Sequence, residues 1–508
     1  MRDKAAGDDN LLFPSLLFLL TIISRVPFTS KLLYHMDSVQ FALALEKYDI
    51  TVHQPHPPGY FLYVMMGRFL NFFIKDANAT LVSLSVIFSG LTVVALYYLG
   101  KEVFDNRIGF LAGVLALTSP TIWFHGEVAL SYIVEAFFTT LAALICWRVY
   151  KGEHRYIWLS VVILGIAGGI RQNTIVFLMP LWLFSVKGVP LRKIILSLAL
   201  LGLVCLLWFV PMVWMAGGWN VYHEAFRELW LFNTGHVSVF ERGWSSFKIF
   251  SSALFVFTIF GTGAGLLILG LAVYSLIRHR RLASLDPGKV IYFSLWALPP
   301  FLFYLLIFIH PANPGYALAF LPAILVLTAQ AIRYVGDELT QTIKKNVSPS
   351  IFSVVIVLNI SFFLFSSYPV SSGEIRHHDR DLSILLDGIR GFEPSKTAIF
   401  VAPYIFFGYR QIMYYLPEYR TYQVDVRVAP SGEIRKTFWG LKRETFVTDE
   451  VDLPSEVSTF IIPVIGDDKK RHTGLPGVEV KELPPTNISL VSGRISLIKE
   501  IIPELKIR

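Results

Sequence analysis

Runs of about 20 apolar residues, each long enough to cross a hydrocarbon core, recur through the first 370 positions and leave little room for any other class of fold. The candidates are Leu11–Phe28, Thr80–Gly100, Ile108–Phe124, Val128–Tyr150, Tyr156–Gly169, Thr174–Val186, Ile194–Met215, Phe247–Ile277, Val290–Ile309, Tyr316–Tyr334 and Ile351–Phe365. That makes about eleven crossings, two of them short and meeting at GGIRQNT (Gly168–Thr174). No small-residue cleavage site follows Leu11–Phe28, so it is read as an uncleaved first span. Only 16% of residues are charged, against about 25% in a soluble domain.

Basic residues assign the two sides. With the N-terminus inside, the inside loops carry Arg2 and Lys4; Lys101 and Arg107; Arg148, Lys151 and Arg155; Lys187, Arg192 and Lys193; Arg278, Arg280, Arg281 and Lys289; and Arg333, Lys344 and Lys345. The outside loops are poorer in them, as the positive-inside rule requires. Counting Tyr60–Phe73 as a span would invert every later loop. That segment, interrupted by Arg68 and Asn71, is therefore read as a helix lying at the interface. The net charge of +8 is spread over these short loops rather than gathered in a stripe, which excludes nucleic acid as a partner. Cys146 and Cys205 lie inside apolar runs and make no disulfide framework or metal motif.

The composition changes near Tyr368. Residues 1–370 read as the membrane domain and 371–508 as a small outer α/β domain. Short strands are expected at Ala398–Ala402, Thr459–Val464 and Ile488–Leu497, with a helix around Phe406–Tyr415.

The polar residues of the membrane part gather in the outer intervals, where ionisable groups near lipid are costly unless paired or used. The first interval, His35–Gly67, holds Asp37 and the sequence HQPHPPGY (His53–Tyr60). Asp37 has two readings. Apolar surroundings would raise its pKa and suit it to take a proton from an incoming hydroxyl; alternatively, with Gln40 three residues on, it caps a helix over Phe41–Leu45. His53 and His56 are close enough to share a phosphate or sugar, held on an extended backbone by prolines, with Gly59 and Tyr60 following. A divalent metal held with Asp37 and Glu127 is the alternative. Arg171 and Gln172, at the junction of two short spans, either snorkel or meet an anion. Glu127, Tyr132, Glu135, His310 and Tyr316 lie at outer span ends, where the competing reading is a cap or an interface anchor.

Together these pieces resemble the GT-C superfamily of polytopic glycosyltransferases, which use polyprenyl-phosphate-linked sugars. The likeness is to the branch related to protein O-mannosyltransferases, whose first outer loop reads DSGEF and then HPPGYPLY. Here the corresponding residues are DSVQF (Asp37–Phe41) and HPPGYFLY (His56–Tyr63). TSPTIWFHGEVALSYIVEAFF (Thr118–Phe138), GIRQN and HPANPGY (His310–Tyr316) occupy the places the branch leads one to expect. The sequence departs from the branch at Gln40, which stands for a glutamate, and at His56, which stands for the lysine of aminoarabinose-transferring relatives.

The resemblance implies an all-α GT-C membrane bundle with juxtamembrane helices in the first outer loop, plus the small α/β domain. It implies inverting transfer of a sugar, a hexose such as mannose, to a hydroxyl of a protein, lipid or glycan acceptor. Asp37 would be the base. His53, His56, Tyr60, Arg171 and His310 would bind sugar or phosphate, with Gln40, Glu127, Tyr132, Glu135, Gln172 and Tyr316 around them. No cofactor is required by the motifs. The chain has no phosphate-binding glycine loop, which fits a lipid-linked donor better than a soluble nucleotide sugar. The expected location is a bacterial or archaeal plasma membrane with the site outside, or the lumen of the endoplasmic reticulum in a eukaryote. The rival class is a transporter or flippase, which calls for midplane polar residues and paired broken helices.

Overall fold

The computed structural model describes residues 11–508 except 368–369, 403, 425, 429–433, 437–445, 448–449, 452, 472, 503–504 and 508. Arg2 and Lys4 of the inside assignment, and Tyr368, lie outside the described residues.

The membrane part is a helical bundle, and the protein is an integral membrane protein. Among the described residues six helices are long and apolar enough to cross a bilayer: Ala77–Val103, Tyr132–Tyr150, Leu191–Met215, Trp244–Thr262, Pro287–Leu306 and Ser348–Phe365. Shorter apolar helices fill in between them, at Leu12–Arg25, Asn106–Thr118, Ile157–Ile170, Asn173–Ser185 and Gly265–Arg278. Phe61–Ile74 spans 14 residues, about 21 Å at 1.5 Å per residue. It buries Phe61, Tyr63, Val64 and Gly67 and exposes Phe69, Phe72 and Phe73, as a helix lying at the interface does.

Ala77–Val103 shows that the two ends of the bundle differ. Near its start Asn78 donates to the Ser30 carbonyl at 2.9 Å. At its other end Glu102 pairs with Arg148, close to where Lys289 lies among Lys151, Arg333 and Asp105. The basic loops therefore share one end, opposite the first polar interval. Gly100 and Gly109 let neighbouring helices touch: a Cβ on Gly109 would lie 2.6 Å from the Tyr97 carbonyl oxygen.

Three expected spans are redrawn. Phe247–Ile277 is broken at Gly263, which adopts φ 56°. Asn359 packs into the space a side chain there would need, and accepts from Ala264 N at 3.2 Å. Ile108–Phe124 stops at Thr118 and restarts at Pro120, because proline cannot continue the ladder and Ser119 caps the new helix. Tyr316 lies in a 3-10 turn, Pro314–Ala319, and the helix proper is Leu321–Ile343.

The C-terminal part carries a six-stranded mixed sheet. Its order is Phe446–Val447, Arg420–Val424, Thr397–Val401, Thr459–Ile465, Ile488–Arg494 and Val478–Glu482. Thr397–Val401 runs parallel to both neighbours, pairing Ile399 with Thr421 and with Ile461. Leu382, Leu386, Tyr409 and Ile412, from helices Ser372–Arg390 and Tyr409–Tyr415, cover one face. Phe400, Phe460, Val491 and Ile498 pack on the other.

Candidate active site

The site begins at the N-terminus of helix Met36–Glu46. His35, not Asp37, is its cap: the extended His35 backbone lets Nδ1 accept from Asp37 N at 3.0 Å, while His35 N donates to Ser38 Oγ at 3.3 Å. The capping reading of Asp37 is thereby corrected. Asp37 sits in the first turn, where the helix dipole favours a negative charge. Its carboxylate lies 3.6 Å from His35 Nδ1 and 3.6 Å from His56 Nδ1.

The HQPHPPGY segment is a closed turn rather than an extended arm. Asp49 and Gln54 form a bridge, and His53 and Tyr60 adopt φ 56° and 45°. His56 Nδ1 meets Gln40 Oε1 at 2.7 Å, and its Nε2 meets Tyr60 OH at 3.0 Å. Since the amide oxygen can only accept, Nδ1 carries the proton and the Tyr60 hydroxyl donates to Nε2. Gly59, at φ 118°, accepts from Tyr48 OH through its carbonyl at 2.8 Å. Gln172 Nε2 donates to the Pro58 carbonyl at 2.9 Å, so this residue ties the turn to the bundle.

Arg171 enters from the junction of Ile157–Ile170 and Asn173–Ser185. Its Nε pairs with Glu135 Oε2 at 2.9 Å, and Glu135 Oε1 accepts from Thr174 Oγ1 at 2.9 Å. The guanidinium carbon lies 4.4, 5.4 and 5.9 Å from the ring centres of Tyr132, Tyr60 and Tyr316, a cage that suits a cation. Among the described residues no protein acceptor bonds its two terminal nitrogens, although the side chain is only 6% exposed. Asn313 holds the cage, donating to Tyr132 OH at 3.0 Å and accepting from Gly315 N at 3.1 Å.

These groups act on Asp37. Burial would raise its carboxyl, but His56, His35, Arg171 and His310 around it outweigh burial and hold it below the ordinary value. This corrects the expectation of a raised pKa: Asp37 is ionised and weakly basic. Burial lowers His35, His56 and His310, and lowers His53 to about 3, so the imidazoles beside Asp37 are neutral near pH 7. His310 Nδ1 accepts from Ala312 N at 3.2 Å.

The structure thus brings Asp37, Gln40, His56, Tyr60, Tyr132, Glu135, Arg171, Gln172 and Tyr316 into one network, with His310 and His53 within electrostatic reach. Glu127 is not among them. It is fully buried, and its charged neighbours are Arg25 and Arg376. Among the described residues no three His, Cys, Asp or Glu side chains converge as a metal site. Of the residues offered together as metal ligands, Glu127 stands apart from His53, His56 and Asp37. His35 and Asn313 were not singled out from the sequence. His35 stands two residues before Asp37 and Asn313 lies inside HPANPGY, but neither position reveals a cap or a cage support.

Residues 47–187 match the family described as protein O-mannosyl-transferase TMEM260, N-terminal domain. Among curated proteins none matches significantly. The apo structure of ArnT from Cupriavidus metallidurans superposes with TM-score 0.58 at 13% identity, covering 96% of this chain and 98% of that one. ArnT bound to undecaprenyl phosphate matches with TM-score 0.58 at 12% identity, over the same 96% and 98%. The fold is that of ArnT.

Proposed function

We propose that the chain is a membrane glycosyltransferase that moves a sugar, a hexose such as mannose, from a polyprenyl-phosphate donor to an acceptor hydroxyl on the outer face. The observation that carries this reading is the pairing of opposite charges at one end of the bundle. An ionised Asp37 lies between two neutral histidines, and beside it Arg171 is buried with its terminal nitrogens unclaimed. A protein of the same fold, ArnT, binds undecaprenyl phosphate, which supports a lipid-linked donor here.

The chemistry follows from those charges. The acceptor oxygen attacks the anomeric carbon from the face opposite the phosphate, and the bond from that carbon to the phosphate oxygen breaks. The hydroxyl proton passes to Asp37, and the polyprenyl phosphate leaves with one more negative charge. Arg171 offers a planar fork of donors to that charge. Its tyrosine cage excludes water, which strengthens the interaction. Asp37 is a weak base, so its proton transfer is favourable only late, once the attacking oxygen has become acidic. The acceptor belongs to a protein, a lipid or a glycan, and the basic end of the bundle faces the cytoplasm under the positive-inside rule.

Purified protein in detergent, given labelled undecaprenyl-phosphate hexoses, should release sugar from the lipid, and Asp37→Asn should stop it. Saturable lipid binding without release in the wild type would instead favour a transporter or flippase.

A further inference from the structure

Residues 29–35, which lead from the first span to the Asp37 helix, have no helix or strand of their own. Their backbone donors must therefore find partners elsewhere, and the C-terminal domain supplies those of three consecutive residues, Lys31, Leu32 and Leu33. Lys31 N and Leu32 N donate to the two carboxylate oxygens of Asp379 at 2.8 and 3.1 Å. Leu33 N donates to Tyr415 OH at 2.8 Å. Met36 N, the first residue of the Asp37 helix, donates to the Ile405 carbonyl at 2.9 Å. Phe406 packs edge-on against the His35 ring at 5.6 Å. On the other side of the site Arg410, 3% exposed, donates to the Val52 carbonyl at 2.5 Å, next to His53.

The topology of the sheet makes these contacts more pointed. Ile405 and Phe406 lie in the loop after strand Thr397–Val401, at the carboxyl edge of the parallel strands. The chain leaves this strand toward Arg420–Val424, while Thr459–Ile465 lies on its other side. In open α/β sheets such a switch point is where ligands bind. Here the loop at that edge grips His35 and Met36.

Resting on the transferase reading above, we infer that Asp379, Tyr415 and Arg410 are positioning residues that hold the Asp37 loop in its reactive geometry from the C-terminal domain. None of them touches the reacting atoms. Their effect falls on the chemical step, because a displacement of about 1 Å can cost on the order of 10²-fold in rate.

The test uses the full-length protein and two variants, Asp379→Ala and Tyr415→Phe, the second removing a single oxygen. Hydrogen exchange over residues 31–36 reports the grip, and donor turnover reports its use. Asp379→Ala should exchange the Lys31 and Leu32 amides at least tenfold faster. Its kcat should fall at least tenfold with donor KM within twofold, and Tyr415→Phe should show a smaller loss of the same kind at an unchanged melting temperature. Unchanged exchange, or faster exchange with unchanged kcat in a wild type that transfers sugar, overturns the positioning role alone. No transfer by the wild type would overturn the transferase reading and this role with it.

Discussion

Arg171 and Glu135 make the most demanding test of the site, because removing one charge should cost more stability than removing both. The pair is 2.9 Å apart, with side chains 6% and 1% exposed. Replacing Arg171 by methionine leaves the Glu135 carboxylate buried with only the Thr174 hydroxyl as donor. Stranding one member of a buried pair costs about 3–5 kcal/mol. The three tyrosine faces lose a cation as well, at about 0.5–2 kcal/mol for a desolvated contact. These losses overlap, so about 4 kcal/mol is the expected total. The double variant Arg171→Met, Glu135→Gln removes both charges at similar volume and should recover about 2–3 kcal/mol of that. Unfolding in mixed micelles, titrated with dodecyl sulfate for wild type, both singles and the double, gives the coupling. The folded double variant should still lose undecaprenyl phosphate affinity by roughly 10- to 150-fold, the worth of one charge-assisted hydrogen bond. A single variant as stable as wild type, or a double no more stable than the single, would refute the buried-pair argument. Full lipid affinity in the double would remove Arg171 from the phosphate site.

Three further outcomes are expected. Asp37→Asn should lower sugar release by about 10²- to 10⁴-fold while the melting temperature stays within a few degrees, and retained turnover would identify another base. Gly59→Ala should cost about 1–3 kcal/mol, because Gly59 sits at φ 118° and a Cβ there would lie 2.4 Å from the Tyr48 hydroxyl; the same micelle unfolding measures it. Burial lowers His53 to about 3, so the unfolded chain takes up the proton first and stability should decline as pH falls from about 6.5 toward 3. His53→Gln should flatten that decline, and an unflattened profile would assign it to other groups.

The apolar runs revealed the bundle because span length is imposed by the bilayer and needs no tertiary information. They failed where a side chain from elsewhere decides the local backbone. Nothing near Gly263 announces that Asn359 will fill the gap beside it, and the helix breaks there. The site residues were legible as polar exceptions at one surface, and the HPPGY and HPANPGY turns drew attention to the right intervals. What the sequence concealed was charge state. Asp37 read alone, among apolar neighbours, suggests a raised pKa, whereas the fold surrounds it with His56, His35, Arg171 and His310. The cap was misassigned for a related reason: Asp is a common cap, and an imidazole nitrogen does the work here only because His35 is held extended.

That reversal of sign changes how the site would handle a phosphate. Before any donor arrives, Arg171 is neutralised by Glu135, the nearby histidines are uncharged, and Asp37 leaves the pocket with an unbalanced negative charge. A polyprenyl-phosphate sugar brings a second one. Transfer then leaves the total unchanged, since Asp37 gains the acceptor proton as the departing phosphate gains a charge. The proposed reaction would move one negative charge from the histidine-lined end of the pocket toward the arginine. Lowering the pKa of Asp37 makes it a poorer base, but it keeps the carboxylate ionised and ready to accept a proton. A carboxyl whose pKa lay above the working pH would arrive protonated, and the charge would have nowhere to start from.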